Sequence, residues 1–526
     1  MPLFLVATVA LLTAQAPGPP PSLTPRDSAF HALNRLAYGA RPGEADSVAR
    51  FGVMKWIERQ LDADHVPDPR LAEHERQFKI LGYDRADLAG RYRNAVRERQ
   101  RMQRDAAAAG DSMRAPFDSG VGPMREFREL GGELQQLAIV RAALSERQLR
   151  EVMVDFWTNH FNVFAGKGAD RFLLPSYIEE TIRPRSLGRF EDLLIATAES
   201  PAMLFYLDNA QSVAPGSAPP PPRRALFGRR FGMNEMPEER RRLPTGINEN
   251  YARELLELHT LGVDGGYTQQ DIIEVARIFT GWSIEPPERG AGFVFRDWAH
   301  DRGTKHVFGV TFQDDGKGEG IRLLKLLANQ HATMHHVSAK LCARFVADEP
   351  PDGCVDAAVA AWQKTRGDIR AVLRAIFTSP DFWSAQAVRS KVKTPFEFVV
   401  SAVRATGVEP DSTPRLAQLV ARLGEPLYQQ PAPTGYAESE AHWVNSGALL
   451  ARMNAAIALA RDCASIPAID DHAQLVDVVD HQLFGGTMSA HTKSVILAQL
   501  SDVTDPLQAR ALAVGLALGG PDFQKQ

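Results

Sequence analysis

The segment Gly246–Gly262, GINENYARELLELHTLG, shows which type of fold the chain adopts. With about 100° between successive side chains of a helix, its apolar residues cover most of the helical wheel. Gly262 follows the last periodic residue and ends the helix. The segment therefore predicts a helix with a broad buried face, and the narrow solvated face carries Glu249, Arg253, Glu257 and Thr260.

Most other periodic segments also predict helices. Ser145–Gln148 and Thr268–Asp271 match the capping-box pattern of a helix start. Strand patterns are rare, but residues 292–312 alternate apolar and polar side chains on both sides of the turn Asp301–Gly303. The expected fold class is mostly α, a multi-helix globular domain with one small β-hairpin near 292–312.

The composition excludes several classes of protein. The 526 residues are 44% hydrophobic and 24% charged, which provides ample apolar material for a globular core. A net charge of −4 lacks the basic excess typical of proteins that bind nucleic acid, and no apolar run is long enough for a transmembrane anchor. The three cysteines allow one disulfide at most, and the sequence leaves its formation open.

The N-terminus has the pattern of an export signal. Residues 1–16 contain an apolar run of signal-peptide length that ends at Ala14–Ala16, a small-x-small cleavage pattern. No Lys or Arg precedes this run, and Pro17 follows the expected cut. We interpret 1–16 as a signal peptide and 17–27 as a proline-rich spacer, and we expect a periplasmic or extracellular protein. The alternatives are a misassigned start codon or a buried first helix.

Two inserts interrupt the helical pattern. Residues 99–125 lack a period, and residues 212–244 combine proline with pairs and triplets of arginine, a composition typical of mobile segments. The apolar pattern resumes after each insert, so neither marks a domain boundary. We predict a helical core over 28–410 that contains both inserts, with C-terminal helices from 411–526 packed on it.

Polar side chains on the apolar face of a helix are candidates for a functional site. Within Gly246–Gly262, the side chains of Asn248, Glu254 and His259 fall inside the buried arc. An inward carboxylate costs several kcal/mol unless it is paired, protonated or bound to metal. Glu254 therefore requires a partner, which either a catalytic cleft or a structural salt bridge would supply.

A second helix has the same arrangement. Within 145–161 the buried face ends at His160, with Asn159 on its flank, and the aromatic residues around them would wall a dry pocket. A single inward histidine is more often a satisfied core residue than a ligand. Two helices packed through such faces are about 8–10 Å apart, so we expect His160, Glu254 and His259 to form one cluster.

Two further groups complete the candidate site. Loops often carry functional residues, and the polar residues at the predicted hairpin turn include His300, Asp301 and Lys305. In a later helix, Lys340 and Arg344 belong to a basic stripe that would hold an anionic group or remain solvated.

Common catalytic motifs are absent from the sequence. It has no GxSxG, P-loop, HExxH or CxxCH motif and no GxGxxG after a strand, and it lacks the ExxH pairs of di-iron bundles. Serine-hydrolase, nucleotide, zincin and haem-c chemistries therefore have no support.

A series of short motifs spans the chain from about residue 28 to near the C-terminus. Among them, Asn248–Leu258, NENYARELLEL, is highly specific. The others are His31–Gly39, Phe156–Phe161, Tyr206–Asn209, Tyr267–Asp271, Thr280–Trp282, His300–Lys305 and Lys393–Glu397. In these motifs the chain resembles a bacterial family grouped as domain of unknown function 1800. The resemblance implies a mostly helical, commonly exported protein, often encoded beside a partner that resembles alkaline phosphatases and sulfatases. It implies no activity.

These observations predict an exported enzyme, a hydrolase or lyase that acts on an extracytoplasmic polysaccharide, with an anionic one favoured. The predicted catalytic residues are Asn159, His160, Glu254, His259, His300 and Asp301. The predicted substrate-binding residues are Asn248, Lys305, Lys340 and Arg344.

Two mechanisms fit this set of residues. In one, histidines and carboxylates hold a divalent metal that activates water, and in the other, His160 or Glu254 is a general acid–base group. The alternative function is a non-catalytic envelope or secretion factor that binds a partner protein. An enzyme requires the polar groups to converge on one cleft, whereas a scaffold would show them scattered or buried in pairs.

Overall fold

The computed structural model describes residues 23–108, 125–220 and 246–526. The predicted signal peptide, spacer residues 17–22 and insert residues 109–124 and 221–244 lie outside the described residues. Within the described ranges the chain is mostly helical with small antiparallel strand pairs, which confirms the expected fold class. None of the helices in these ranges is long and apolar enough to cross a lipid bilayer.

The helices before residue 221 build the first part of the fold. They are α1 (Pro25–Leu36), α2 (Glu44–Phe51), α3 (Val53–Leu61), α4 (Pro69–Glu75), α5 (Arg85–Ala108), α6 (Arg125–Leu144), α7 (Gln148–His160), α8 (Asp170–Ser176), α9 (Phe190–Ala198) and α10 (Pro201–Tyr206).

The helices after residue 245 complete the fold. They are α11 (Asn250–Glu254), α12 (Gln269–Ile278), α13 (Lys317–Ala328), α14 (His331–Phe345), α15 (Asp352–Thr365), α16 (Ile369–Thr378), α17 (Pro395–Thr406), α18 (Arg415–Arg422), α19 (Glu440–Trp443), α20 (Ser446–Ala460), α21 (His472–Phe484), α22 (Ala490–Leu500), α23 (Pro506–Gly519) and α24 (Pro521–Gln524).

The predicted segment boundaries need three corrections. The spacer 17–27 is too long, because Thr24 caps α1 and Pro25 is its first residue, a position that tolerates proline. The insert 99–125 begins too early, since α5 continues to Ala108. The insert 212–244 also begins with packed chain, because Ala214 is buried and its N–H donates to the Ala299 carbonyl, 2.8 Å away.

One of the two predicted capping boxes is present. Thr268 and Asp271 cap α12 reciprocally, as predicted. Ser145 does not cap α7, because the helix starts at Gln148 and its N-cap position is Arg147. The Ser145 hydroxyl instead accepts from the Arg147 N–H at 2.9 Å and donates to an Asp68 carboxylate oxygen at 2.6 Å.

The helix predicted from Gly246–Gly262 is irregular. It begins at Asn250 and changes after Glu254 into a π turn, Leu255–Thr260. Each π turn adds a residue and rotates the following side chains away from the regular wheel. Thr260, predicted on the solvated face, is consequently fully buried, and its hydroxyl donates to the Leu255 carbonyl at 2.6 Å.

The strands pair differently from the expectation of one hairpin over 292–312. Strand β1 (Trp282–Ile284) pairs with β2 (Phe293–Phe295), and β3 (Lys305–Val307) pairs with β4 (Val310–Phe312). Strand β2 thus pairs with the preceding strand β1 and not with a later one, and residues 296–304 connect the two strand pairs. Both alternating runs were recognised, but periodicity does not determine which partner a strand takes.

The helices share one apolar core that extends from α1 to α24. The chain end returns to this core, where Val392 and Lys525 form an isolated antiparallel bridge beside the start of α17. Residues after 410 therefore pack directly on the preceding helices, and α20 packs against α23.

A disulfide joins α14 to α15. It connects Cys342 to Cys354 across 12 residues, and Cys463 is a buried free thiol. A cross-link of this length stabilises a fold mainly by restricting the unfolded chain, by about 2–3 kcal/mol.

Replacing Cys342 and Cys354 together with alanine is expected to lower the free energy of unfolding by about 2–3 kcal/mol. The measurement is guanidinium unfolding of the oxidised proteins, and the control is Cys463→Ala, which breaks no cross-link. Equal stability of the double variant and the wild type would show that the disulfide does not form.

Candidate functional site

Three segments bring four nitrogen-bearing side chains together. His160 ends α7, His259 lies in the π turn after α11, and His336 and Lys340 lie one turn apart on α14. The ring centre of His160 is 6.3 Å from that of His259 and 6.4 Å from that of His336. We name these four residues the histidine–lysine cluster.

Hydrogen bonds fix the orientation of His160 within the cluster. Lys340 Nζ donates to His160 Nδ1 at 3.0 Å, and His160 Nε2 donates to the His259 carbonyl at 3.2 Å. Both ring nitrogens are thus occupied, which assigns the tautomer with hydrogen on Nε2. In this arrangement His160 offers no lone pair to a metal ion.

Close backbone approach allows α14 to reach the π turn. His336 Nε2 lies 3.4 Å from the Leu258 carbonyl. Gly262 has a φ of +85°, and a Cβ there would lie 2.9 Å from His336 Nδ1. Glycine is therefore required at this position both by its conformation and by its neighbour.

Burial keeps the imidazoles of the cluster neutral. Desolvation, reinforced by the Lys340 ammonium, lowers the pKa of His259 to about 3 and that of His336 to about 4. The same causes hold the pKa of His160 well below its usual value. Desolvation also lowers the pKa of Lys340. At neutral pH the three imidazoles are therefore uncharged, and the Lys340 ammonium releases its proton more readily than an exposed lysine does.

Helices α7 and α14 also border a small polar space, which we call the carboxylate cavity. It measures about 40 Å³ and is lined by residues that include Asp155, Asn159, Arg344, Glu397, Glu425, Tyr436 and Glu438. Burial raises the pKa of Asp155 to about 7 and that of Glu425 to about 8. The cavity therefore holds two carboxyl groups that titrate near neutral pH, an arrangement found at acid–base sites.

Arg344 supplies the positive charge of the carboxylate cavity. It forms a buried ion pair with Glu397, and its Nε lies 3.9 Å from Glu438. Although burial raises the pKa of Glu397, attraction to Arg344 lowers it below its ordinary value. Arg344, predicted to bind substrate, is only 5% exposed and is already paired, so its role is to hold the structure together.

Asn159 has a positioning role. Its side-chain amide donates to the Tyr436 carbonyl at 2.8 Å, and its oxygen accepts from the Tyr436 N–H at 2.7 Å. These two bonds hold the loop that follows Tyr428 over the carboxylate cavity. The predicted catalytic residue Asn159 therefore acts on the backbone of that loop.

Glu254 lies in an open groove of about 520 Å³. The groove is also lined by Phe164, Lys167, Tyr206, Leu207, Asn250, Pro431 and Pro433. Burial and the neighbouring Glu257 raise the pKa of Glu254. Among the described residues no hydrogen bond or ion pair links Glu254 to His160 or His259. The expected three-residue cluster thus contains the two histidines, with Glu254 on the neighbouring surface.

The residues of the predicted hairpin turn form a separate group. Asp301 accepts two hydrogen bonds from Arg277, at 2.9 and 3.0 Å. Burial alone would raise the pKa of Asp301, but the hydrogen bonds from Arg277 lower it below its ordinary value. Lys305 is fully buried and its Nζ lies 2.8 Å from Glu319 Oε2. No polar contact within the described ranges joins these residues to the histidine–lysine cluster.

Comparison with known proteins places the chain in a family. The family model described as "Protein of unknown function (DUF1800)" matches residues 31–525. The chain belongs to the DUF1800 family. No curated protein and no solved structure matches it.

Asn248 has a local role in the DUF1800 chain. It precedes α11, so the regular wheel does not apply to it. Its oxygen accepts from the Asn250 N–H at 2.9 Å, and its amide donates to the Asp208 carbonyl at 3.3 Å. Asn248 therefore shapes the start of the helix, and no contact connects it to the cluster among the described residues.

Sequence reasoning missed several residues of the site. His336 lies four residues before Lys340, on the same face as the basic stripe of Lys340 and Arg344, but the stripe pattern does not mark it as a site residue. Asp155 lies one residue before the aromatic motif Phe156–Phe161 and four residues before Asn159. This spacing places Asp155 and Asn159 on one helix face. Glu397 ends the motif Lys393–Glu397, but the motif did not show its pairing with Arg344, and Glu425 and Glu438 gave no signal, because only the tertiary fold brings these carboxylates to α7 and α14.

Glu254 and Glu397 should respond differently to removal of their charge. Glu397→Gln is expected to lower the free energy of unfolding by about 3–5 kcal/mol, because it strands the buried Arg344 charge. Glu254→Gln is expected to change it by less than about 1 kcal/mol, since Glu254 has no ion-pair partner among the described residues. Denaturant unfolding at neutral pH measures both, and a large loss in Glu254→Gln would contradict the placement.

The neutral state of His259 should make folding depend on pH. Its pKa is about 3 in the fold and 6.5 in the unfolded chain, so between these values the unfolded chain binds more protons. Acid therefore lowers the stability of the wild type by about 1.4 kcal/mol per pH unit below 6.5 from this group. His259→Asn removes this contribution, and the two proteins are compared by urea unfolding between neutral pH and about pH 5. Parallel pH profiles would show that His259 titrates normally.

Proposed function

We propose that this DUF1800 chain is an exported hydrolase or lyase that acts on an anionic polysaccharide, with the histidine–lysine cluster as its catalytic centre. The observation that carries the proposal is the 3.0 Å contact between Lys340 Nζ and His160 Nδ1, at which burial lowers the pKa of both groups. The lowered pKa of Lys340 moves this group towards the neutral range in which general acid–base groups work, and the uncharged His160 ring accepts its hydrogen bond.

The charge of Lys340 supports an anionic substrate. Within the described ranges no carboxylate lies at ion-pair distance from its Nζ, and Glu438 influences Lys340 only over a longer range. A half-buried ammonium that has lost part of its hydration gains stability from a counter-ion. A carboxylate or sulfate group of a substrate would supply the missing charge.

Exposure indicates which groups meet the substrate. His160 and His259 are each only 2% exposed, whereas His336 and Lys340 are partly exposed. In the proposed reaction Lys340 lies at the anionic group and exchanges a proton directly with the substrate, while His160 Nδ1 accepts its hydrogen bond and orients it. His336 is then the second acid–base group at the edge of the cluster. A lyase would use this pair to remove a proton beside the substrate carboxylate, and a hydrolase would use it to activate water.

The groove beside Glu254 supports a polymeric substrate. Its walls come from the segments that continue the cluster, since Phe164 follows His160 and Glu254 precedes His259. It contains two aromatic rings, a carboxyl group and Lys167, whose Nζ lies 2.8 Å from Asp208. Aromatic faces and polar groups in an open groove suit sugar units on either side of the reacting one.

The disulfide supports export. Bonds such as Cys342–Cys354 persist in oxidising compartments and are rare in the cytosol. Together with the signal-peptide pattern of residues 1–16, this favours a periplasmic or extracellular location. An extracytoplasmic polymer is then the substrate class that the protein would meet.

A second proposal is a non-catalytic envelope or secretion factor. It is favoured by the division of the predicted catalytic residues among the cluster, the carboxylate cavity, the groove and the strand pairs. The ion pairs of Arg277 with Asp301 and of Arg344 with Glu397 are satisfied within the chain. Under this reading the binding partner is a protein, for which the resemblance suggests an exported phosphatase-like or sulfatase-like chain.

The enzymatic proposal is tested with Lys340→Gln. A panel of uronate-containing and sulfated polysaccharides is incubated with the purified protein, and both new reducing ends and the ultraviolet absorbance of unsaturated products are followed. Wild type is expected to release products, and Lys340→Gln to be at least about 100-fold slower because the proton-transfer group is lost.

The control is Lys325→Gln, which removes an exposed lysine from α13 and should retain wild-type activity. If ultraviolet absorbance rises together with the number of new reducing ends, the enzyme is a lyase. If reducing ends form without a rise in absorbance, it is a hydrolase. Equal rates for Lys340→Gln and wild type would exclude the cluster as the centre and favour the partner-binding proposal.

A further inference from the structure

A second set of potential ligands lies next to the β3–β4 strand pair. His300 is in the connection before β3, Asp314 follows β4, and Glu319 is in the first turn of α13. One ligand atom from each lies within 4.8 Å of one from each of the others. We name these three residues the hairpin site.

Hydrogen bonding prepares His300 to act as a ligand. Its Nδ1 lies 2.9 Å from the Thr280 carbonyl, to which it donates. This bond assigns the hydrogen to Nδ1 and leaves a lone pair on Nε2. Metal-binding histidines commonly donate their second ring nitrogen to a backbone carbonyl in this way.

The free nitrogen of His300 faces carboxylate oxygens without bonding to them. Nε2 is 3.6 Å from Glu319 Oε2 and 3.8 Å from Asp314 Oδ1. These distances are too long for hydrogen bonds. Two ligands that share a zinc ion at about 2.1 Å and at a tetrahedral angle are about 3.4 Å apart. The separations therefore match a shared ion better than direct contact.

Two buried atoms of the hairpin site have no partner among the described residues. They are His300 Nε2 and Glu319 Oε1, in side chains that are 1% and 0% exposed. A buried acceptor left without a partner destabilises the fold. A cation between His300 and Glu319 would satisfy both atoms at once.

We propose that His300, Asp314 and Glu319 bind a divalent transition-metal ion of the zinc class. One imidazole nitrogen and two carboxylates favour Zn²⁺ over Mg²⁺ or Ca²⁺, which prefer oxygen ligands alone. Asp314 is the most exposed of the three, with 31% of its side chain accessible, and gives the ion a path from solvent. Water fills the remaining coordination positions.

Neighbouring charges support the carboxylates of the site. Lys305 holds Glu319 through Oε2 and also donates to the Asp301 carbonyl, which fixes the carboxylate beside His300 and leaves Oε1 without a partner among the described residues. Arg302 lies 3.2 Å from the second oxygen of Asp314. Asp301 is not a ligand, because Arg277 occupies both of its oxygens.

The bound ion would fasten the strand pairs to α13. Its ligands come from both sides of β3–β4 and from the helix that follows, so one ion would connect three segments. This site is independent of the histidine–lysine cluster and of the proposed catalytic activity.

Zinc binding tests the proposal. The full-length protein is stripped with chelator and titrated with Zn²⁺ against a metal-sensitive dye, and Tm is measured with and without the ion. Wild type is expected to bind one equivalent that raises Tm, while His300→Ala and Asp314→Asn should each weaken binding at least tenfold and lose the Tm increase. Asp314→Asn replaces a partly exposed side chain by one of similar shape and should fold normally. It therefore tests the site even if His300→Ala fails to fold.

Two controls locate the ion. His306→Ala removes an exposed histidine of β3, and His160→Asn removes a histidine of the cluster, so both should bind zinc as the wild type does. Wild-type protein that binds no zinc would overturn the proposal. So would unchanged binding in His300→Ala and Asp314→Asn, or a loss confined to His160→Asn.

Discussion

The buried ion pair between Arg344 and Glu397 holds the candidate site in place. Glu397 pairs with Arg344 through one oxygen, and through the other it accepts from the Thr394 N–H at 2.9 Å in the capping box of α17. One carboxylate thereby starts α17 and fixes α14, whose opposite partner is α15 through the Cys342 disulfide. With α14 held on both sides, Lys340 comes within reach of His160. An unpaired charge here would offset a large part of the 5–15 kcal/mol by which domains are typically stable.

The distribution of counter-ions separates structural from reactive groups. Arg344 and Asp301 are matched by opposite charges and remain charged at all moderate pH values. Lys340, Asp155 and Glu254 are shielded from water to differing extents, and none of them has an ion-pair partner within the described ranges. The pKa of Lys340 falls and the pKa values of the two carboxyl groups rise, which brings all three nearer to neutrality. Counter-ions in this fold pair with the structural groups Arg344 and Asp301, whereas Lys340, Asp155 and Glu254 remain able to titrate.

Local sequence signals predicted the helical fold and part of the site. Amphipathic spacing and the Thr268 cap identified helices because both depend on neighbours within a few residues. The inward positions of His160 and His259 followed from the same spacing, and these two residues do meet. Glu254 did not join them, because the π turn after it changes the direction of the helix surface. Strand partners and the carboxylates around Arg344 depend on contacts between segments far apart in sequence. No local pattern encodes those contacts, and so the residues of the expected single site lie in four places.

The irregular helices argue that the cluster is more than a by-product of core packing. A π turn is rare and weakens regular hydrogen bonding, and it occurs often at functional sites. The π turn Leu255–Thr260 contains His259, and the other, Tyr177–Ile182, packs against α7. Tyr177 in that second turn donates to the Phe161 carbonyl at 2.7 Å, directly after His160. Both irregular turns thus contact the same end of α7. Through Tyr177 and the His259 carbonyl, these two turns fix the end of α7 that carries the His160 ring, and this is the placement that the proposed catalytic centre requires.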